Sequence, residues 1–435
     1  MRRCNWSTLD PAGRRQALLR PALTENPGIG PRVGAIIEAV RKDGDAALLR
    51  FARELDRAEI TALRVSDDEV RAAEAGLSAE AQLAIRTAIA NVRCFHEAQT
   101  SAPLRVETAP GVVCERISKP LAAVGLYVPA GSAPLPSTAI MLGVPSALAG
   151  CPVRVLCTPP RLDGRADPAV VFAARACGVQ DIFKAGGAQA IAAMAYGTAT
   201  VPKVAKIFGP GNAWVTAAKA MVAGDPAGAA LDMPAGPSEV MVVADGRADP
   251  RFVALDLLSQ AEHGPDSHVV LVTPDELLIA RVEAEMEGAL TALPRRAIIE
   301  AALRHSVAVL VPGLPEALAV ANEYAPEHLI LQVQNPRGFA ADVTTAGSVF
   351  LGRWTPESVG DYCSGTNHVL PTYGYARAYS GLSVADFQRR MTLQEVTLSG
   401  LRGLAPTVLT LAGLEGLDAH ARAVAVRLEA ADTRP

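Results

Sequence analysis

The sequence predicts an α/β protein made of two units, each a parallel-rich sheet covered by helices, with small helical segments at the N- and C-terminal ends. Three observations predict it. From about Tyr127, short apolar runs alternate with helical stretches of about 8–12 residues, as in a parallel sheet covered on both faces. A second alternating series starts near Phe252, and the stretches Pro31–Gln99 and Ser383–Arg427 read as helix. The 435 residues, at roughly 150 per domain, allow two or three domains.

The elements follow in chain order. Between Pro31 and Gln99 apolar residues recur at three- and four-residue spacing, most clearly over Leu77–Phe95. Helices are predicted over Ser137–Leu148, Pro168–Cys177, Gln189–Tyr196 and Asn212–Val222, with strands at Val153–Cys157, Asp181–Lys184, Lys206–Phe208 and Glu239–Val243. Phe252–His263 reads as a helix with Asp249 as its cap, Pro250 in its first turn and Gly264 at its stop. His268–Val272, Val307–Val311 and Leu329–Val333 read as strands, with helices between them that end near His305 and Tyr324.

Composition excludes several function classes. Half of the residues are apolar and 20 % are charged, a globular balance, and the formal charge of −4 leaves no basic excess for nucleic acid or acidic lipid. Met1–Gly13 lacks the apolar run of a signal peptide. Leu121–Val153 carries no charge, but Pro129, Pro134, Pro136, Pro145 and Pro152 interrupt it, so a buried loop, helix and strand are expected instead of a membrane span. Seven cysteines, an odd number with no CxxC pair, suit a reducing cytoplasm rather than a disulfide framework or a thiolate zinc site.

Four groups of residues can carry chemistry. Gln260 and His263 lie three apart near a helix end and share a face, which suits metal ligation or simply a polar helix terminus. Glu327 and His328, adjacent between a helix and an apolar strand, offer two bases to one pocket. The small polar loop Ser358–His368 carries Asp361, with Cys363 read as a packed thiol because only His368 lies near enough in sequence to activate it. Glu415 and His420 stand in the helical tail, where a histidine is ordinarily an idle surface group. Gly209-Pro210-Gly211-Asn212 marks a strand-to-helix turn able to hold an anion, but Trp214 stands where GxGxxG needs its third glycine. No GxxxxGK[ST] occurs, so a P-loop is excluded.

The wording and order of these segments resemble the histidinol dehydrogenase family. The resemblance is carried by GLYVPAGSAPLPST (125–138), GGAQAIAA (186–193), KIFGPGNAWV (206–215), DMPAGPSEV (232–240), DLLSQAEHGPDS (256–267), YAPEHL (324–329), AGSVFLG (346–352), ESVGDYCSGTNHVLPTYG (357–374) and EGLDAH (415–420). It spans about residues 110–420 and is looser before Arg105. It implies two Rossmann-like α/β domains and a zinc enzyme that oxidises L-histidinol to L-histidine through bound L-histidinal with two NAD⁺. The domains it implies are a helical arm over 1–24, a discontinuous zinc and catalytic domain over 25–126 and 238–380, an inserted NAD domain over 127–237, and a tail over 381–435 that reaches the partner subunit.

The resemblance also implies roles. Gln260, His263 and Asp361 correspond to zinc ligands, one Zn²⁺ per subunit, with His420 from the partner of a homodimer as the fourth. One amide oxygen, one carboxylate and two imidazoles suit Zn²⁺ and also Mn²⁺ or Co²⁺. Glu327 and His328 correspond to proton acceptors. Ser238, His328 and the partner-donated Glu415 correspond to substrate contacts, shared with the ligand positions Gln260, His263, Asp361 and His420. Tyr127, Gln189 and Asn212 correspond to NAD contacts, while His368 is left as pocket wall or satisfied polar core. Ala130 and Ala325 replace glycines common in the family at backbone turns. Two rivals are an alcohol dehydrogenase of the same fold acting on another substrate, such as a sulfonated diol, and a zinc hydrolase using Glu327. Glu415 and His420 weigh against the first; Gln260 as ligand and the absence of HExxH weigh against the second. A non-catalytic binding protein stands last.

Overall fold

The computed structural model describes residues 1–21, 28–100, 102–130, 133–234 and 236–433. Among them are fourteen strands: β1 (Arg2–Asn5), β2 (Leu104–Ala109), β3 (Val112–Pro120), β4 (Ala123–Tyr127), β5 (Val153–Thr158), β6 (Asp181–Lys184), β7 (Lys206–Phe208), β8 (Ala230–Leu231), β9 (Glu239–Ala244), β10 (His268–Thr273), β11 (Val307–Leu310), β12 (His328–Gln332), β13 (Ser348–Leu351) and β14 (Gln388–Val396). Two sheets are wholly parallel, β1-β11-β10-β9-β12-β13 and β6-β5-β4-β7-β8; β14-β3-β2 is antiparallel. The α/β class read from the sequence is the class observed.

Two compact units divide the chain. One comprises Met1–Gln99 and Leu121–Phe387; the other, Thr100–Pro120 and Gln388–Pro435. The first holds both parallel sheets. Its central strands β9 and β10 are buried at every position, so side chains on both faces meet helices and the runs read as continuously apolar. In each sheet the chain steps outward along consecutive strands and then returns to the other side of the first, so strand order reverses between β9 and β12 and between β4 and β7. Asp249 caps the helix Pro250–Ala261, accepting from the Arg251 N–H. The uncharged stretch near residue 130 becomes strand, loop and the helix Pro136–Leu148. Among the described residues no helix is long and apolar enough to cross a membrane.

The packing departs from the expected division in three places. Residues 1–24 were expected as a helical arm, yet Arg2–Asn5 pairs with β11, a polar edge strand without an apolar run to announce it; the boundary at 24/25 lies outside the described residues. Residues 25–126 were expected with 238–380. Instead the helices Ile29–Asp43 and Asp45–Glu54 bury Val33, Ile37, Leu48 and Phe51 against the five-stranded sheet's helices, and Ala79–Glu97 packs on Pro136–Leu148. An apolar helix face shows that a sheet is covered, not which one. The tail over 381–435 was expected as helix, but Gln388–Val396 is a strand of the second unit, followed by helices Leu398–Glu415 and Asp418–Asp432. Its residues are mostly exposed, so no buried stripe marks it.

Candidate active site

Glu327 stands just before β12 and His328 opens it, beside the start of β9. The helix Leu314–Tyr324 ends on Ala325 in the left-handed region (φ 53°), and the chain reverses through Pro326 into the strand. Glu327 and His328 are 6 % and 4 % exposed. The main chain of Glu239 holds both: its N–H donates to Glu327 Oε2 (2.8 Å), and its carbonyl accepts from His328 Nδ1 (3.1 Å). A carbonyl partner requires a proton on Nδ1, so in the neutral ring the His328 lone pair is on Nε2. That nitrogen is buried, has no hydrogen-bond partner among the described residues, and lies 3.6 Å from Asp361 Oδ1.

The short helix Glu357–Tyr362 supplies two carboxylates, Glu357 and Asp361, four apart on one face. Glu357 Oε1 is 3.9 Å from His328 Nδ1. Gln260, fully buried at the end of Pro250–Ala261, fits between Glu239 and Glu357: with its nitrogen toward Glu357, its oxygen accepts from the Glu239 N–H at 3.2 Å. A cation on the carboxylate side would turn the oxygen that way. His263 is exposed, its Nδ1 donates to the Ser259 carbonyl (3.1 Å), and its ring lies within electrostatic reach of Asp361.

Three carboxyl groups thus face one buried imidazole. Burial pushes Glu327 up and, with Asp361 and Glu327 adding repulsion, holds Glu357 well above the carboxylate range. Burial works against charge on His328, but Glu357 and Glu327 outweigh it and lift the imidazole well above its usual range. For Asp361, burial is overcome by the neighbouring His328 imidazole, aided by His368 and His263, so it stays below the usual range. The surplus of acid, the unpartnered Nε2 of His328 and the clustering of ligand atoms of His328, Glu357 and Asp361 within 4.8 Å fit a divalent cation.

The structure gathers five of the expected residues here, Gln260, His263, Glu327, His328 and Asp361, with Ser238 half-buried just ahead of β9. Glu415 and His420 are exposed in the second unit, at the end of one helix and the start of the next. His368 is a satisfied polar group, its Nδ1 donating to the Asp361 carbonyl (2.8 Å) and its Nε2 accepting from Thr138 Oγ1 (3.2 Å). Sequence reasoning missed Glu357. Its one signal was the four-residue spacing to Asp361.

The expected cofactor residues line the carboxyl ends of the other parallel sheet. Tyr127 ends β4, and its hydroxyl accepts from the Gly187 N–H (3.0 Å). Gln189 is buried in the first turn of Gly187–Tyr196 after β6. Asn212 caps Ala213–Ala223 after β7, accepting from Trp214 N (3.1 Å) and Val215 N (3.2 Å). Gly209 has φ 121°, and a Cβ there would strike the Tyr127 carbonyl, so the turn requires glycine. A buried Lys219–Asp232 pair clamps it from both sides, through the Gly209 carbonyl and N–H. Gly131, Ser132 and Ala235, within two of the matched segments, lie outside the described residues.

Behind the bases lies a second buried network. Arg20 pairs with the Glu239 carboxylate, donates to the Tyr324 carbonyl (2.9 Å) and lies 3.7 Å from the centroid of the Tyr324 ring. The Tyr324 hydroxyl donates to Glu239 Oε2 (3.0 Å) and meets His268 Nδ1 at 2.7 Å. Burial, reinforced by Arg20, holds His268 down at about 3. Between about 6.5 and 3 the unfolded chain therefore binds a proton that the folded chain refuses, and stability falls on acidification by up to ~1.4 kcal/mol per pH unit. Urea midpoints at pH 7 and pH 5 check this: His268→Asn should lose less than the parent chain.

A sequence model described as histidinol dehydrogenase matches residues 20–428. The chain belongs to the histidinol dehydrogenase family. It is 54 % identical to the histidinol dehydrogenase of Vibrio cholerae over 429 residues, 99 % of each chain. Against that of Xanthomonas axonopodis pv. citri it is 55 % identical over 428 residues, 98 % of this chain and 99 % of the relative. The crystal structure of histidinol dehydrogenase from Elizabethkingia anophelis matches with a TM-score of 0.95 at 44 % identity, covering 100 % of this chain and 99 % of that one. Histidinol dehydrogenases are oxidoreductases, and this chain is one of that class.

Proposed function

We propose that the chain is a zinc-dependent histidinol dehydrogenase, oxidising L-histidinol to L-histidine through bound L-histidinal with two NAD⁺. The observation that carries the reading is Glu327 and His328, both buried, both held by the Glu239 main chain, beside Asp361 and Gln260. Gln260, His263 and Asp361 would hold one Zn²⁺, with His420 from a second copy completing the set; the ion would orient the substrate's amine and imidazole. Ser238 and the second copy's Glu415 contact substrate in this reading, and Tyr127, Gln189 and Asn212 contact NAD⁺. Residues 238–380 carry the zinc and catalytic half, and 127–237 the cofactor half.

His328, in its neutral form, would take the alcohol proton through Nε2 during the first oxidation. The imidazolium formed has Glu357 and Glu327 beside it, while the Nδ1 bond to the Glu239 carbonyl keeps the ring aimed. Glu327 would then remove a proton from the water that adds to the bound aldehyde; NAD⁺, when bound by Tyr127, Gln189 and Asn212, would supply the hydride acceptor for both oxidations. No cysteine is needed: Cys363 is half-buried, at the end of the short helix that carries Asp361.

A homodimer is favoured by the second unit itself. Leu398, Leu409, Leu411 and Leu414 on its first helix, and Leu417 in the turn after it, are exposed, apolar surface that a second copy would cover. A cytoplasmic setting accords with seven free cysteines.

With limiting histidinol and excess NAD⁺, about two NADH per histidinol are expected, lost on chelation and restored by Zn²⁺. One NADH with trapped aldehyde would overturn the role of Glu327, and none would move the search to other alcohols. Mixing His420→Ala with Glu327→Gln subunits should restore up to one working site per hybrid dimer. No recovery after confirmed subunit exchange sinks the shared site.

A further inference from the structure

We infer that Asp56 binds the adenosine ribose diol of the dinucleotide and selects NAD⁺ over NADP⁺, in a cleft at the carboxyl end of β5. The inference rests on the NAD reading above and extends it to a residue that the family resemblance did not single out.

Asp56 follows the helix Asp45–Glu54, far in sequence from the five-stranded sheet, yet its carboxylate comes to the ends of the strands. A Cβ on Gly186, which follows β6, would lie 3.3 Å from Asp56 Oδ1 and would collide with Pro159, which follows β5. Gln189 is the side chain beside it and partly offsets the burial that lifts this carboxyl to about 6. The other oxygen, Oδ2, is buried and has no hydrogen-bond partner among the described residues. A desolvated acceptor with nothing to accept from is costly unless a ligand supplies the donor.

Beside it opens a cleft of about 530 Å³, lined by Asp56, Leu55, Pro159, Pro160, Arg161 and Leu162 among others. Leu55 and Leu162 are largely exposed, so the cleft offers apolar walls next to an acceptor: room for a flat base with hydroxyls at one end. Topology sets the direction. Strand order reverses between β4 and β7, so a dinucleotide crossing there with its nicotinamide toward β7 and Asn212 lays its adenosine over β5. In such sheets an acidic residue at the end of the second strand takes the ribose 2′-hydroxyl. Here β5 runs into Pro159-Pro160, and the carboxylate comes from the segment before the sheet. A 2′-phosphate would meet that charge, and the one basic group in the cleft, Arg161, faces Asp163 at 3.9 Å.

The test compares Asp56→Asn and Asp56→Ser with the parent enzyme, using NAD⁺, NADP⁺ and NAD⁺ lacking the adenosine 2′-hydroxyl. Loss of a charge-assisted hydrogen bond predicts a KM for NAD⁺ raised roughly ten- to hundredfold, with kcat and the KM for histidinol retained and the preference over NADP⁺ narrowed. The deoxy analogue should cost the parent a similar factor and the variants little more. If the parent uses the deoxy analogue as well as NAD⁺, or the variants keep the parental KM while NAD⁺ is still reduced, the assignment to Asp56 fails and the NAD reading stands. If the zinc-loaded parent reduces no nicotinamide dinucleotide, both fall together.

Discussion

Replacing Glu327 by Gln is expected to lower kcat by about 10²- to 10⁴-fold, the usual worth of a positioned base. The isosteric amide still accepts from the Glu239 N–H through its oxygen, so the strand start keeps its geometry and the loss reports on proton transfer. Metal content and the KM for histidinol should change little. The second oxidation should suffer more than the first, because Glu327 serves the water that adds to the aldehyde. Product analysis decides: NADH per histidinol should fall toward one, with aldehyde recovered by a trapping reagent. A variant that retains full turnover and yields two NADH would remove Glu327 from the mechanism.

Arg20→Met is expected to cost about 3–5 kcal/mol of stability, because it strands the Glu239 carboxylate in a buried site. It also removes the donor to the Tyr324 carbonyl, at the turn that leads into Glu327. The charge explanation has its own control. In the double variant Arg20→Met with Glu239→Gln no charge is left unpaired, so most of the loss should be recovered in urea or thermal unfolding. Equal losses in the single and double variants would show that the carbonyl contact and the stacking on Tyr324 matter more than the ion pair.

Much of this fold was legible in the sequence because a buried parallel strand leaves an uninterrupted apolar run. β6 and β7 begin and end where that pattern places them, and β5, β9 and β10 run one residue further. Among the strands that escaped, β1, β2, β3 and β14 are exposed or polar; β2 and β3 pair with each other, while β1 and β14 pair with strands far away in sequence. The candidate site was legible as separate dipeptides and spacings, and only the family's segment order joined them. Main-chain contributions were invisible. Nothing in the letters Ser238-Glu239 says that the main chain of Glu239 will hold both bases while its side chain takes Arg20. Asp56 escaped for a related reason, because its strand-end position depends on a helix packing against a sheet that begins some seventy residues later.

The placement of Glu327 and His328 has a consequence for motion. Most binding sites in open parallel sheets use loops at the carboxyl ends of strands, which can open and shut. These two residues stand instead where β12 enters the sheet, with His328 in register with Val240 on one side and Ser348 on the other. Their backbone belongs to the part of the molecule that opens last, so amide protons along β12 should be among the slowest to exchange. Any movement between the two hydride transfers, such as the departure of one spent dinucleotide and the arrival of the next, is left to the other sheet and its turns, while the bases keep still.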